Sequence, residues 1–197
     1  MDSPPFKAGL PNCEPPGVRA PWGSVYWPFV ASLTVRVALP TDAAALATLH
    51  RGIYDEGRWF VGDGAPSAEA LRSRLRLLGA DRSRYLVAVG DGSEGRELWG
   101  WLELHRLTPQ RLAHVAVLTL AVGKAYRRQG VAGALLAAAY PWAAEVGVLK
   151  VQLSVRAGNG AALRLYEREG FVVEGCERNQ VFDDGGLADN LLMAKFL

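Results

Sequence analysis

The chain has 197 residues, half of them hydrophobic and 21% charged, a balance that suits one packed domain with an appendage and argues against intrinsic disorder. A formal charge of +2 and a pI near 8.6 are too mild to imply nucleic acid, which proteins track with a concentrated basic patch. The two cysteines, Cys13 and Cys176, lack disulfide-framework or metal-like spacing, and no run approaches the roughly 18 to 20 apolar residues of a membrane span, so a cytoplasmic protein with no metal, nucleic-acid or membrane partner is expected.

Residues 1–32 carry prolines from Pro4 to Pro28, a density that defeats helix and central strand alike, and read as an extended appendage. Trp22, Tyr26, Trp27 and Phe29 give it aromatics for docking on the domain or on a second subunit; a second reading starts the natural protein near Leu33. Residues 33–197 form the domain. "LTVRVAL" is a strand, and Thr41 or Asp42 caps a helix reaching about Asp55. Ser67 caps "SAEALRSRLRLL" with Glu69 in its first turn. "RYLVAVG", "ELWGWLELHRL" and "LAHVAVLTLAV" read as successive antiparallel strands. A helix from about Gln129 to Val146, the strand "LKVQLSV", a helix from about Gly160 to Glu169 stopped by Gly170, and the strands "FVVEG" and "NLLMAKFL" complete the chain. The order implies an α/β fold, a mixed sheet with helices on both faces.

Two motifs carry chemistry. In "AYRRQGVAGALL", a helix begins among small residues just past a strand end, where free backbone N–H groups meet the positive end of the helix. Phosphate binds such places, Gly130 and Ala132 allow close approach, and Arg127 or Arg128 adds charge-assisted hydrogen bonds. Close helix-on-sheet packing explains the small residues equally well. The second motif, "VRAGNGAALRLYEREGF", puts Asn159 at the cap of a short helix and Tyr166 two turns in.

The ordered pair, "V-x-x-x-Y-R-R-x-G-V-A" and then "N-x-A-A-x-x-L-Y-x-x-x-G-F", resembles the N-acetyltransferases of the GNAT superfamily, and the resemblance runs from about Thr34 to Leu197. It implies a central, mostly antiparallel sheet splayed between the fourth and fifth strands, with acetyl-CoA as acyl donor. By resemblance, Leu120, Ala121 and Val122 pair through their backbone with the pantetheine arm. Arg127, Arg128, Gln129, Gly130, Val131, Ala132 and Gly133 form the pyrophosphate loop. Asn159 contacts CoA, and Tyr166 protonates the departing thiolate, as a phenol with an ordinary pKa of about 10 can do at pH 7.

The base that deprotonates the amine is less constrained. Ribosomal-protein alanine acetyltransferases, which resemble the tail of the second motif, use a glutamate where this chain has Ser154. Other features, "HVA" at His114 and the late "DNLLMA", resemble a branch acting on amino acids and similar small amines. His114 is the first candidate base, since an imidazole titrates near neutrality, against a structural histidine at a strand start. Glu103 is the second: simple alternation puts Trp99, Trp101, Glu103 and His105 on one strand face, facing either the acceptor cleft or solvent. Glu56, Trp59 and Phe60 lie where the superfamily shapes its acceptor pocket, and the two aromatics serve equally as loop anchors. The expected function is acetyl transfer from acetyl-CoA to a small primary amine such as an amino acid, by direct attack in a ternary complex. A protein N-terminus as acceptor, a non-catalytic acyl-CoA sensor and a packing domain are the alternatives; a homodimer would suit the superfamily.

Overall fold

The computed structural model describes residues 33–92, 95–183 and 185–197, so the appendage with its aromatics and Cys13 lies outside the described residues. Seven strands, β1 (Thr34–Val37), β2 (Ser83–Gly92), β3 (Gly95–Arg106), β4 (Val115–Val122), β5 (Lys150–Arg156), β6 (Val172–Asp183) and β7 (Gly186–Phe196), form one sheet in the order β1-β2-β3-β4-β5-β7-β6. Every pairing is antiparallel except β4 with β5, and that parallel pairing lasts only from Val115↔Lys150 to Val117↔Gln152. Past Val117 the two strands part, while each keeps its partner on the other side. This is the mostly antiparallel, splayed sheet expected from the resemblance.

Helices cover both faces because each strand of the first half alternates two apolar sets. Tyr85, Val87, Val89 and Trp101 pack under α1 (Ala43–Tyr54) and α2 (Ala68–Leu77), joined by Leu46, Ile53, Leu71 and Leu75. Leu86, Ala88, Leu102, Leu104, Leu118 and Leu153 pack on the other face with Leu135, Leu136 and Trp142 of α3 (Val131–Glu145) and Tyr166 of α4 (Gly160–Arg168). The expected caps form at α2, where Ser67 Oγ accepts from Ala70 N at 3.1 Å, and at α4, where Asn159 Oδ1 accepts from Ala162 N at 3.1 Å. Gly170, at φ +87°, ends α4 in the left-handed conformation that glycine adopts without penalty.

Three local expectations give way to competing interactions. Asp42 stands at the start of α1 but does not cap it, because Arg36 grips both its carboxylate oxygens at 2.7 and 2.8 Å and Leu39 N donates to it. The Arg36 hydrogen bonds hold the Asp42 carboxyl below the ordinary carboxylate range. Trp99 leaves the face of Trp101, Glu103 and His105. The ladder shifts register there, Ala88 facing Gly100 while Val89 faces Leu98, and this bulge turns the indole to the α3 side, over Gly90 and stacked 4.9 Å from Tyr126. A Cβ on Gly90 would come within 2.2 Å of that indole, so glycine is what makes room for it. Lastly, β6 runs far beyond "FVVEG", through polar residues and two register shifts that carry no alternation signal.

Candidate active site

Each half of the candidate site is set by where the sheet opens. From Val122 the chain passes Gly123 and a short 3₁₀ turn at Lys124–Tyr126, and then bends through Arg128 (φ +64°) and Gly130 (φ +81°) into α3. No side chain caps α3, its first turn holds no acid, and its first intrahelical bond is Ala134 N to Gly130 O at 3.0 Å. The N–H groups of Val131, Ala132 and Gly133 therefore have no intrahelical acceptor, at the positive end of a 15-residue helix. Such an arrangement is suited to an anion held through backbone amides. Arg127 is committed elsewhere: its Nε donates to Val122 O at 3.0 Å, and its Nη atoms form a two-pronged pair with Glu56, one contact at 2.8 Å. Arg128 is exposed and Gln129 bonds back to Ala125 O.

Beside this loop, Leu120, Ala121 and Val122 pair with β3 on one edge and face the splay on the other, where β5 has already diverged. Backbone N–H and C=O groups along that edge are suited to pair with a polyamide arm, except Val122 O, which already accepts from Arg127 Nε. Asn159 and Tyr166 stand across the splay on α4, which follows β5. The Tyr166 ring is 6% exposed, tilted against Phe171 at 5.4 Å between centroids. Burial pushes its hydroxyl up to about 12, so it carries its proton throughout the neutral range.

On the α1/α2 face lies a cavity of about 300 Å³. Trp101 forms its centre, with His50 stacked on it at 4.4 Å, Tyr85 at 5.6 Å and Phe60 at 6.0 Å. Glu103 lines the cavity and is 6% exposed, so it does not point into solvent; both its oxygens receive Arg74 Nη2, at 2.7 and 2.6 Å, from a side chain that is 56% exposed. Thr119 faces Glu103 in register and carries the cavity to β4, two residues past the last β4–β5 pair. His50 is buried, its Nε2 2.9 Å from Tyr85 Oη and its Nδ1 without a partner. Burial, seconded by the Arg74 charge, lowers its pKa to about 4, so the ring is neutral at pH 7. Burial and the Glu103 charge raise the Tyr85 phenol above its ordinary range.

The structure thus brings Glu103 and Phe60 together but not every residue selected from sequence. Glu56 turns away to Arg127, and half-buried Trp59 does not line the cavity. His114 is exposed at the opposite end of β4, its carbonyl taking Leu149 N and Lys150 N where the strands are still joined. Sequence reasoning missed His50, Arg74 and Thr119. His50 left one trace: it falls on the buried stripe of α1 with Ala43, Leu46, Ala47 and Ile53, where a polar residue needs a reason. Among the described residues no group of three or more His, Cys, Asp or Glu side chains is placed to hold a metal ion, and no helix is long and apolar enough to cross a membrane.

Known proteins resemble this chain in sequence and in fold. Residues 51–171 match the acetyltransferase (GNAT) family profile. Over 95 residues the chain is 34% identical to the [ribosomal protein bS18]-alanine N-acetyltransferase of Escherichia coli K12; the match spans 48% of this chain and 64%, under two thirds, of that protein. The crystal structure of the GNAT-family acetyltransferase from Streptococcus pneumoniae superposes with a TM-score of 0.76 at 29% identity, covering 84% of this chain and 99% of that one. A Salmonella typhimurium protein solved with its cofactor acetyl-CoA also gives a TM-score of 0.76; at 17% identity, over 84% and 94% of the two chains, the likeness is one of fold.

Proposed function

Since the chain belongs to the acetyltransferase (GNAT) family, we propose that it transfers acetyl from acetyl-CoA to the primary amine of a small molecule such as an amino acid, by direct attack in a ternary complex. The observation that carries the small acceptor is the compact aromatic cavity beside the splay, on the face opposite α3 and α4. At about 300 Å³ it matches the lower end of small-molecule sites.

The residues present fit acetyl-CoA. The free amides of Val131, Ala132 and Gly133 suit a pyrophosphate, with exposed Arg128 adding charge, and the open edge of Leu120, Ala121 and Val122 suits an amide-bearing arm. Bound there, acetyl-CoA supplies an activated acyl group whose C–S bond breaks as the new C–N bond forms. The amine must arrive neutral, so a carboxylate close to it has work to do. Glu103, backed by Arg74, attracts the ammonium and accepts its proton directly or through water. Trp101, Phe60 and neutral His50 wall the rest of the acceptor. Tyr166, still protonated, donates a hydrogen bond to the leaving sulfur.

A second reading, transfer to a protein N-terminus, is favoured by the similarity to the ribosomal-protein enzyme. Against it stands Ser154, whose hydroxyl cannot act as the carboxylate expected at that position. Thiol release from acetyl-CoA, assayed against amino acids, polyamines, aminoglycosides and N-terminal peptides, separates the two. Turnover with a small amine, reduced on the order of 10²-fold or more by Glu103→Gln, is the expected result; turnover confined to peptides defeats the proposal, and acetyl-CoA binding without any turnover identifies a sensor.

A further inference from the structure

The second half of the sheet bears a polar strip for which acetyl transfer, as described so far, has no use. Along β5, Val151, Leu153 and Val155 enter the core beneath α3 and α4, so Gln152, Ser154 and Arg156 turn to the opposite face, the one that holds the aromatic cavity in the other half. Gln152 is the last β5 residue paired with β4, and Ser154 and Arg156 follow it along the diverging strand. On the far side of the parting, Thr119 of β4 and its β3 partner Glu103 line the aromatic cavity.

Arg156 is 7% exposed, and its Nε and Nη1 are buried with no hydrogen-bond partner. A guanidinium keeps its charge under all ordinary conditions and has five N–H donors to satisfy. Burying it without an acceptor is strongly unfavourable, which makes the missing partner informative. Of the acids on this half of the sheet, Asp189 accepts from Asn179 N and the Cys176 thiol, while Glu177 stands beyond Asn190 in the same cross-strand row, one strand further off, and leaves Arg156 Nε and Nη1 unbonded. Facing Arg156 across the ladder is neutral Asn190.

We propose that Arg156 anchors a carboxylate of the acceptor, which makes the acceptor a free amino acid or a similar small amino-carboxylate rather than a plain amine or a peptide end. This rests on the small-acceptor reading above. The planar fork of Arg156 takes both carboxylate oxygens, the amine is held over the crevice, and the side chain extends toward the cavity walled by Trp101 and Phe60. A peptide N-terminus carries an amide where the free amino acid has its carboxylate and leaves the guanidinium unpaired.

The test needs binding as well as turnover. N-acetyl-L-phenylalanine and its carboxamide, which differ only in the anion, are titrated calorimetrically into the CoA-loaded full chain, wild type and Arg156→Gln. The wild type is expected to bind the acid at least about tenfold more tightly than the amide, the usual worth of a charged hydrogen bond. In Arg156→Gln that preference disappears and CoA affinity is kept. Acid and amide binding alike to the wild type, or neither binding, overturns the proposal, and so does an Arg156→Gln chain that keeps the preference but loses CoA, since Arg156 would then serve the cosubstrate. The wild-type comparison decides even if the Gln variant misfolds, and Arg156→Lys, charged but without the fork, is expected to keep only part of the preference. Loss of turnover across the amine panel with the acid preference intact would defeat the transfer reading and leave the anion site standing.

Discussion

Replacing Tyr166 with phenylalanine removes one oxygen from a ring held against Phe171 and the main core cluster. With the phenol pushed up to about 12 and an alkyl thiol near 8.5, full proton transfer to the leaving sulfur is uphill by roughly 3.5 units, or about 5 kcal/mol. Tyr166 therefore acts by donating a hydrogen bond to the developing thiolate and not by surrendering its proton early. A hydrogen bond to a charged group is worth about 1.5 to 3 kcal/mol, so kcat for Tyr166→Phe should fall by about 10- to 150-fold. The KM for acetyl-CoA should hold within about twofold, because the interaction strengthens only as charge develops. Packing is nearly conserved, so unfolding stability should change by about 1 kcal/mol or less. Steady-state thiol release on the best acceptor, beside urea unfolding of both proteins, measures all three. The reasoning is refuted by an unchanged kcat, or by a loss that appears wholly as a raised acetyl-CoA KM.

Other perturbations follow from the same geometry. Ala132→Glu adds an acid to the uncapped first turn of α3: the helix should gain about 0.3 to 1 kcal/mol while acetyl-CoA binding weakens about tenfold or more, and binding titrations together with thermal melts read these opposite signs. Asn159→Ala deletes the cap of α4 and should cost about 1 kcal/mol in urea unfolding; a loss below a few tenths would show that the Ala162 N bond contributes little. His50 binds a proton at about 4 in the folded protein and near 6.5 when unfolded, so between those values only the unfolded chain is protonated. Stability from this group is present above pH 6.5 and is lost as pH falls toward 4, by about 3 kcal/mol in all. Urea titrations across pH 4 to 7 should show that slope in the wild type and a flatter one in His50→Asn; identical slopes would exclude His50 as its source.

Alternation and capping chemistry made most of the architecture legible. Ser67 and Asn159 cap the helices they precede, and Gly170 takes the left-handed stop. What stayed hidden depends on contacts distant in sequence. Nothing local says that Arg36 will take the Asp42 carboxylate, or that Glu56, which read as an acceptor-pocket acid, will close on Arg127 seventy-one residues away. Trp99 obeys strict alternation on paper, and only a ladder slip, made possible by Gly90 on the neighbouring strand, carries it to the other face. His50 and Arg156 were silent for a related reason: each draws its meaning from a partner that is missing, and a missing partner is a property of the folded surroundings.

The parting of β4 from β5 has a consequence for how the bare protein behaves in solution. Leu118 to Val122 and Leu153 to Arg156 are edge strands in the middle of a sheet, with an open row of donors and acceptors that most folds expose only at the rim. Among the described residues, three residue pairs join the sheet's two halves through strand pairing. An occupant pairing along these edges would thus act as a surrogate strand, bridging the halves, slowing hydrogen exchange along both inner edges and keeping a second chain from pairing there.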